Sequence, residues 1–389
     1  MAWNDKEIKY LKALREESDL DWKEITEEMN EQFTERRTLN ATRKAYKRFE
    51  DEDVSDDVLI KNIKSTATAK KTASKLRKEN KVIVENLMGF DDVLEAIESL
   101  KKVRLITPKF KKPAKKSKKK KNMIMEPLLS DLHYGLKTKS FDSGVLRDRM
   151  KKYTTAFLHS KDREEKSHNI QLIRILLNGD IIQSTSFHGA KSEAACDITN
   201  AQQLAVATES LFFDVILPIA EEGHPVEIIG MSGNHDRFHP DKYTIDPGRH
   251  YFTWTIYTAL QNLCKAAGLK NVDIIIPEKA YYVYDCFGSK FLVEHGDLLK
   301  NGSPDTLEKH LMKRSAQTGF ILKGIRIGHF HTDYVGSVGR YIVNGSPVSD
   351  DHYGDTLGYV SRSCQLLNYY VETDKRDTSY YHSFTVNLG

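Results

Sequence analysis

Between residues 123 and 331 the sequence repeats one pattern: a short apolar run that ends in a cluster of Asp, His or Asn. It is seen in "MIMEPLLSDLHYG", "NIQLIRILLNGDII", "HPVEIIGMSGNHDR", "KFLVEHGD" and "GIRIGHFH". Short runs apolar on both faces suit strands buried between layers, and helical stretches lie between them. In sheets of α/β type, sites form where strand ends meet loops, so clusters far apart in sequence converge there. The last run carries His329 and His331 on either side of Phe330. If the strand continued through them, the two imidazoles would share one face.

The residue types at these ends decide the chemistry. Asp131 and His133, Asp180, Asn234 with His235, His295, then His329 and His331 set carboxylate and amide oxygens beside imidazoles. That mixture suits Mn²⁺, Fe²⁺ or Zn²⁺ and not a Ca²⁺ cage or a thiolate site. It also exceeds what one ion needs, whereas two ions sharing a bridging carboxylate clamp a phosphoryl group from both sides. Each residue alone has an ordinary reading: Asp131 as a strand-end cap, Asn234 as a turn former, His295 as a core histidine. The ordered set does not.

The order D-x-H, G-D, G-N-H-D, H-G and G-H-x-H resembles that of the calcineurin-like metallophosphoesterase superfamily over residues 123 to 350, and "VNGS" at 343 to 346 is similar to its closing Asn-x-Gly-Ser stretch. The resemblance implies a four-layer α/β/β/α sandwich. It also implies that Asp131, His133 and His331 hold a first metal, that Asn234, His295 and His329 hold a second, and that Asp180 bridges them. A hydroxide between the metals would attack phosphorus in line, with His235 beside the substrate stabilising charge and protonating the leaving oxygen. His329 and His331 would then serve neighbouring ions, the backbone turning where the strand ends. Asp236 is expected to order the turn, and Arg237 to contact phosphate or cover the rim. The Asp-Arg-Gly sequence of serine/threonine protein phosphatases is missing after Asp180. The SbcD/Mre11-type nuclease branch is the most similar, but Gln183 stands where those nucleases usually have a histidine, with His188 as a substitute farther on.

The front of the chain points to DNA. From Lys101 to Lys121 there are many Lys and Arg and no acid, with Pro108 and Pro113 as helix breakers. The run is read as an extended linker, either a solubilising tether or, in a functional reading, a phosphate-backbone contact or a localisation tag. It separates residues 1–50, a small all-α domain, and a helical segment within 51–122 from the α/β domain at 123–389. In the first of these, Ile8, Leu11 and Leu14, then Trp22, Ile25 and Met29, recur at helical spacing, and a third helix over 38–49 carries Arg43, Lys44, Lys47 and Arg48. The order of Trp3, Trp22 and Tyr46 resembles a Myb/SANT-like repeat, whose last helix reads the major groove. That makes the four basic residues DNA-binding candidates; the alternative is a three-helix bundle for protein contacts.

Composition excludes other classes. Cys196, Cys264, Cys286 and Cys364 form no C-x-x-C pair, against a zinc knuckle or disulfide framework. The apolar stretch "LFFDVILPIA" is interrupted by Asp214 and Pro218, so no membrane span is expected, and the charged N-terminus is not a secretory signal. The expectation is a cytoplasmic protein of a bacterial or phage-infected cell, or a nuclear one if eukaryotic. It would use two divalent ions, Mn²⁺ first, to hydrolyse DNA phosphodiester bonds, as a homo-oligomer or with a separate ATPase. The alternatives are a phosphomonoesterase or small-nucleotide phosphodiesterase recruited to DNA, and a non-catalytic DNA-binding scaffold.

Overall fold

Strands buried on both faces set the layers, their side chains alternating between two cores. In β1 (Lys121–Leu129) Met123, Met125 and Leu129 face one core while Ile124 and Leu128 face another. β2 (His168–Asn178) divides in the same way between Ile173, Ile175, Leu177 and Leu176. The computed structural model describes residues 3–17, 20–34, 36–49, 107–185, 195–238, 248–348, 362–373 and 378–389. The expected helical segment at 51–100, and His188, lie outside these residues. The chain divides into two compact units, Met1–Met88 and Gly89–Gly389.

The second unit is mixed α/β. A six-stranded sheet runs in the order β11-β10-β1-β2-β3-β4, where β3 is Val226–Met231, β4 Val272–Ile275, β10 Cys364–Glu372 and β11 Thr378–Asn387. A five-stranded sheet runs in the order β5-β6-β7-β9-β8. Its strands are β5 (Tyr281–Cys286), β6 (Ser289–Glu294), β7 (Leu322–Ile327), β8 (Tyr334–Gly336) and β9 (Tyr341–Val343). β1, β2, β3 and β4 are parallel neighbours, as are β6, β7 and β9. One face of the larger sheet packs against α4 (Ser143–Glu164), α5 (Asn200–Ala220) and α6 (Phe252–Ala266). Ile124, Leu176, Ile229, Phe291, Val293 and Ile342 fill the space between the sheets. Leu307 and Leu311 of α7 (Pro304–Thr318) cover the far face of the smaller sheet. These clusters alternate with the sheets to give the expected helix, sheet, sheet, helix order.

α5 corrects one expectation. Asp214 and Pro218 do not break it: it runs 21 residues, its middle turn (Leu211–Ile216) is π-helical, and it is long and apolar enough to span a bilayer. Most of it is buried inside the unit. Asp214 accepts from Ser210 Oγ at 2.8 Å and pairs with Arg147 at 3.0 Å, which is how a carboxylate sits on a core helix.

The described part of the basic run belongs to this unit. Residues 107–117 form neither helix nor strand, as expected of a linker, and 118–120 turn back with Lys120 N on the Ser117 carbonyl, yet the run is fixed: Lys111 N donates to the Glu221 carbonyl (2.6 Å), and Ser117 N to Asn169 Oδ1 (2.9 Å). Asn169 Nδ2 returns bonds to the Ser117 and Lys120 carbonyls. Composition signalled an extended chain but not the surface that holds it.

The first unit holds α1 (Asp5–Glu17), α2 (Trp22–Gln32) and α3 (Leu39–Phe49) around Leu11, Leu14, Ile25, Met29 and Ala45, with Trp3, Trp22 and Tyr46 packed against them. Asp21 caps α2 by accepting from Lys23 N and Glu24 N, while Glu24 takes the Asp21 N–H, a capping box. Thr42 and Ala45 bury one side of α3; Arg43, Lys44, Lys47 and Arg48 are exposed on the other.

Candidate metal centre

Five strand ends meet at one point of the second unit. Asp131 and His133 follow β1, Asp180 follows β2, Asn234 and His235 follow β3, His295 follows β6, and His329 and His331 follow β7. Their donor atoms fall into three overlapping groups, each within 4.8 Å: Asp131, His133 and His331; His133, Asp180 and His235; Asp180, His295 and His329. All eight residues expected to act at the site therefore converge, Asn234 through its Oδ1, 3.2 Å from His295 Nε2.

The backbone turns sharply where these ligands sit. Asp131, His133, Asp180, His329 and His331 all have φ between 50° and 67°, the left-handed region that side chains rarely adopt. A strand continuing past Ile327 would have set His329 and His331 on one face. The left-handed turns instead send His331 to the Asp131 and His133 group and His329 to the Asp180 and His295 group. Two glycines allow the approach: a Cβ on Gly233 would lie 2.2 Å from Asp180 Oδ1, and one on Gly328 2.5 Å from Asp131 Oδ2.

The polar contacts are crowded with acceptors. His133 Nε2 and His331 Nε2 lie 3.2 Å apart. His295 donates from Nδ1 to the Asn178 carbonyl (2.9 Å), so its Nε2 faces Asp180 Oδ2 at 3.1 Å together with Asn234 Oδ1. Burial, then His235, presses His133 down to about 3, and burial, then His295, presses His329 down to about 4, so both stay neutral with a lone pair to give. Burial works against charge on His295 too, but Asp180 holds it well above the usual imidazole range. Despite its own burial, Asp180 is held well below the usual carboxylate range, chiefly by His295 and His235. In the protein alone, a proton on His295 Nε2 bridges oxygens that a divalent ion would otherwise share. The donor set, the neutral buried imidazoles and the orphaned Nδ1 of buried His133 fit metal ligation.

The supporting residues have distinct jobs. Asp236 is wholly buried and accepts from Asp180 N (2.8 Å), Ile181 N, Ile182 N and Gly233 N (2.7 Å), so it ties the β2 and β3 loops together. Burial, with Asp180 beside it, pushes its carboxyl up to about 7. Arg237 is also buried; Asp297 and the Tyr251 hydroxyl hold its guanidinium. Gln183 contributes its main-chain carbonyl, which accepts from His235 Nδ1 at 2.9 Å. Sequence reasoning missed Gln365 and Asp297, and took "VNGS" only as a resemblance. Asn344 donates to Ser130 Oγ and Gln365 Oε1, and Ser346 Oγ donates to the Asp131 carbonyl, bracing the β1 loop. Residues so far from the loop they brace leave no local signal.

No family model and no curated protein matches the sequence. Among solved structures, the chain is similar to a predicted phosphoesterase from Streptococcus pneumoniae, at 12% identity over 68% of this chain and 98% of that one, TM-score 0.27. It is similar to Vacuolar Protein Sorting 29 from Cryptosporidium parvum at 14% identity, 68% and 98% coverage and TM-score 0.31. It is also similar to a putative 5′-nucleotidase from Staphylococcus aureus at 11% identity, 68% and 54% coverage and TM-score 0.33. Overlaps this loose assign neither family nor function; the site geometry stands by itself.

Proposed function

We propose that the chain is a two-metal phosphodiesterase of the calcineurin-like metallophosphoesterase type that hydrolyses DNA. The observation that carries the reading is the pair of ligand groups, Asp131–His133–His331 and Asp180–His295–His329, which adjoin at Asp180 and add Asn234 to the second. Held there, two divalent ions would neutralise a phosphoryl group and lower the pKa of water, chemistry that Mn²⁺, Fe²⁺ or Zn²⁺ supplies with these donors.

The chain's own residues supply the rest. His235 lies edge-on to His133, ring centroids 4.7 Å apart, and its backbone N–H is fixed by Asp180 Oδ1 at 2.8 Å. With Nδ1–H committed to the Gln183 carbonyl, it is the doubly protonated ring whose Nε2–H would pass to a leaving oxygen, the imidazole ending neutral with Nδ1–H still in place. Arg237 is buried and held by Asp297 and Tyr251, which goes against its covering the rim and leaves a phosphate contact from within the site as its expected role. DNA is favoured by the exposed Arg43, Lys44, Lys47 and Arg48 on α3, opposite the face that packs into the first unit.

The purified protein with Mn²⁺ is expected to cut labelled DNA and bis-p-nitrophenyl phosphate, and to turn over p-nitrophenyl phosphate slowly. Hydrolysis of the monoester alone would reassign it as a phosphomonoesterase. Undiminished activity in both Asp180→Asn and His235→Ala would sink the mechanism.

A further inference from the structure

The basic run over residues 107–121 has two sets of lysines. The inward set docks the strap: Lys111 Nζ pairs with Glu222 (2.6 Å), Lys116 Nζ donates to Gln171 (2.6 Å), and Lys120 Nζ donates to the Glu165 carbonyl (2.8 Å). Main-chain bonds from Lys109 N to Glu221 and from Ala114 N to Glu165 add to it. The acids beneath are met from below as well, by buried Lys161, 2.7 Å from Glu222. The outward set, Lys109, Lys112, Lys115, Lys118 and Lys119, is exposed, and these ammonium groups make no ion pair or hydrogen bond among the described residues. Docking the strap therefore does not explain them. Phe110 lies among them, 47% exposed and outside every hydrophobic cluster.

Position matters as much as charge. Lys121 pairs with His168 at the start of β2, whereas Asp180 follows its end. An 11-residue strand puts roughly 33 Å between them, so the strap cannot touch the phosphate that reacts.

We infer that the docked strap is a single-stranded nucleic-acid track, its outward lysines on successive phosphates and Phe110 stacked on a base. A positively charged path with an exposed aromatic is what sequence-tolerant single-strand binding uses. Because the strap is already fixed along Glu165, Asn169 and Glu221, binding costs little ordering of its backbone. This rests on the reading of the substrate as DNA.

The test uses the full chain. Anisotropy of a labelled oligo-dT, over a series of KCl concentrations, compares the wild type with Lys112→Gln/Lys115→Gln/Lys118→Gln/Lys119→Gln and with Phe110→Ala. Each lysine that leaves a phosphate should reduce the slope of log K against log salt by about 0.7, to a total of about 3 for the four. Phe110→Ala should weaken oligo-dT binding by about fivefold or more and leave duplex binding unchanged. Turnover of bis-p-nitrophenyl phosphate should be the same in all three proteins. An unchanged salt slope, or oligo-dT binding indifferent to Phe110→Ala, overturns the inference. So does a loss confined to phosphatidylserine vesicles, which would make the strap a lipid contact. Strap-dependent binding by a wild type that does not cleave DNA would overturn the proposed function and leave this inference standing; cleavage with strap-independent binding would do the reverse.

Discussion

Strand β7 carries two buried clusters of ionisable groups, and they are built on opposite principles. Arg326, within the strand, is wholly buried between the sheets. Its guanidinium meets Glu126 (3.3 Å), the Tyr370 hydroxyl and the Ile325 and Gly339 carbonyls, while Glu126 Oε1 also accepts from Tyr370 and Asn368. There, every nitrogen of the guanidinium finds an acceptor within the protein, and Glu126 Oε2 is the one carboxylate oxygen left without a partner among the described residues. Three residues on, His329 enters a cluster where imidazole nitrogens face carboxylate oxygens and one another. The first cluster pairs a buried cation with a buried carboxylate inside the protein; the second has a surplus of acceptors that only a cation or a borrowed proton can reconcile.

The contrast can be broken in order of expected effect. Asp180→Asn removes the carboxylate that sits with His295 and His329 in one group and with His133 in the group beside it, and should lower bis-p-nitrophenyl phosphate turnover by at least about 10³-fold, with metal content by elemental analysis falling below two per chain. His235→Ala should lower turnover by about 10²- to 10³-fold with both ions retained, which separates proton transfer from metal holding. Arg326→Met should leave metal content unchanged yet cost about 3–5 kcal/mol in urea unfolding, because Glu126 is left buried and charged. Adding Glu126→Leu should recover most of that loss; if it does not, the pair is more than a matched set. Saturating Mn²⁺ at ~100 times its Kd should stabilise metal-free protein by about 2.7 kcal/mol for each ion bound, an effect reduced in Asp180→Asn.

The smallest effect tests the strap's footing. Burial holds His224 below its ordinary range against the pull of Glu165. Its folded form thus stays neutral where the unfolded chain takes up a proton, so its contribution is lost as pH falls below about 6.5. His224→Gln should flatten the pH dependence of unfolding between pH 6.5 and 5, measured by thermal melts.

The candidate ligand set was legible because each member sits in a short loop directly after an apolar run, so a local pattern carried it. The same reading passed over Arg326, since "GIRIGHFH" looks like a strand with one polar interruption, and Glu126, which lies about 200 residues away and on another sheet. Their pairing is a property of two strands facing across a core, which neither sequence neighbourhood records. Buried strands followed from runs apolar on both faces, and the four layers only from the resemblance. The 21-residue apolar α5 did not, because Asp214 looked like a break until Arg147 and Ser210 supplied its partners.

The left-handed residues at the site have a consequence for drift. Asp131, His133, Asp180, His329 and His331 each hold a conformation that costs an ordinary side chain about 1–3 kcal/mol. Glycine or asparagine would relieve that cost at every one of them. With ligation as proposed, selection for stability and selection for metal holding pull these positions in opposite directions. In a descendant freed from the chemistry, they are where the sequence should change first, and the loss would make the fold firmer.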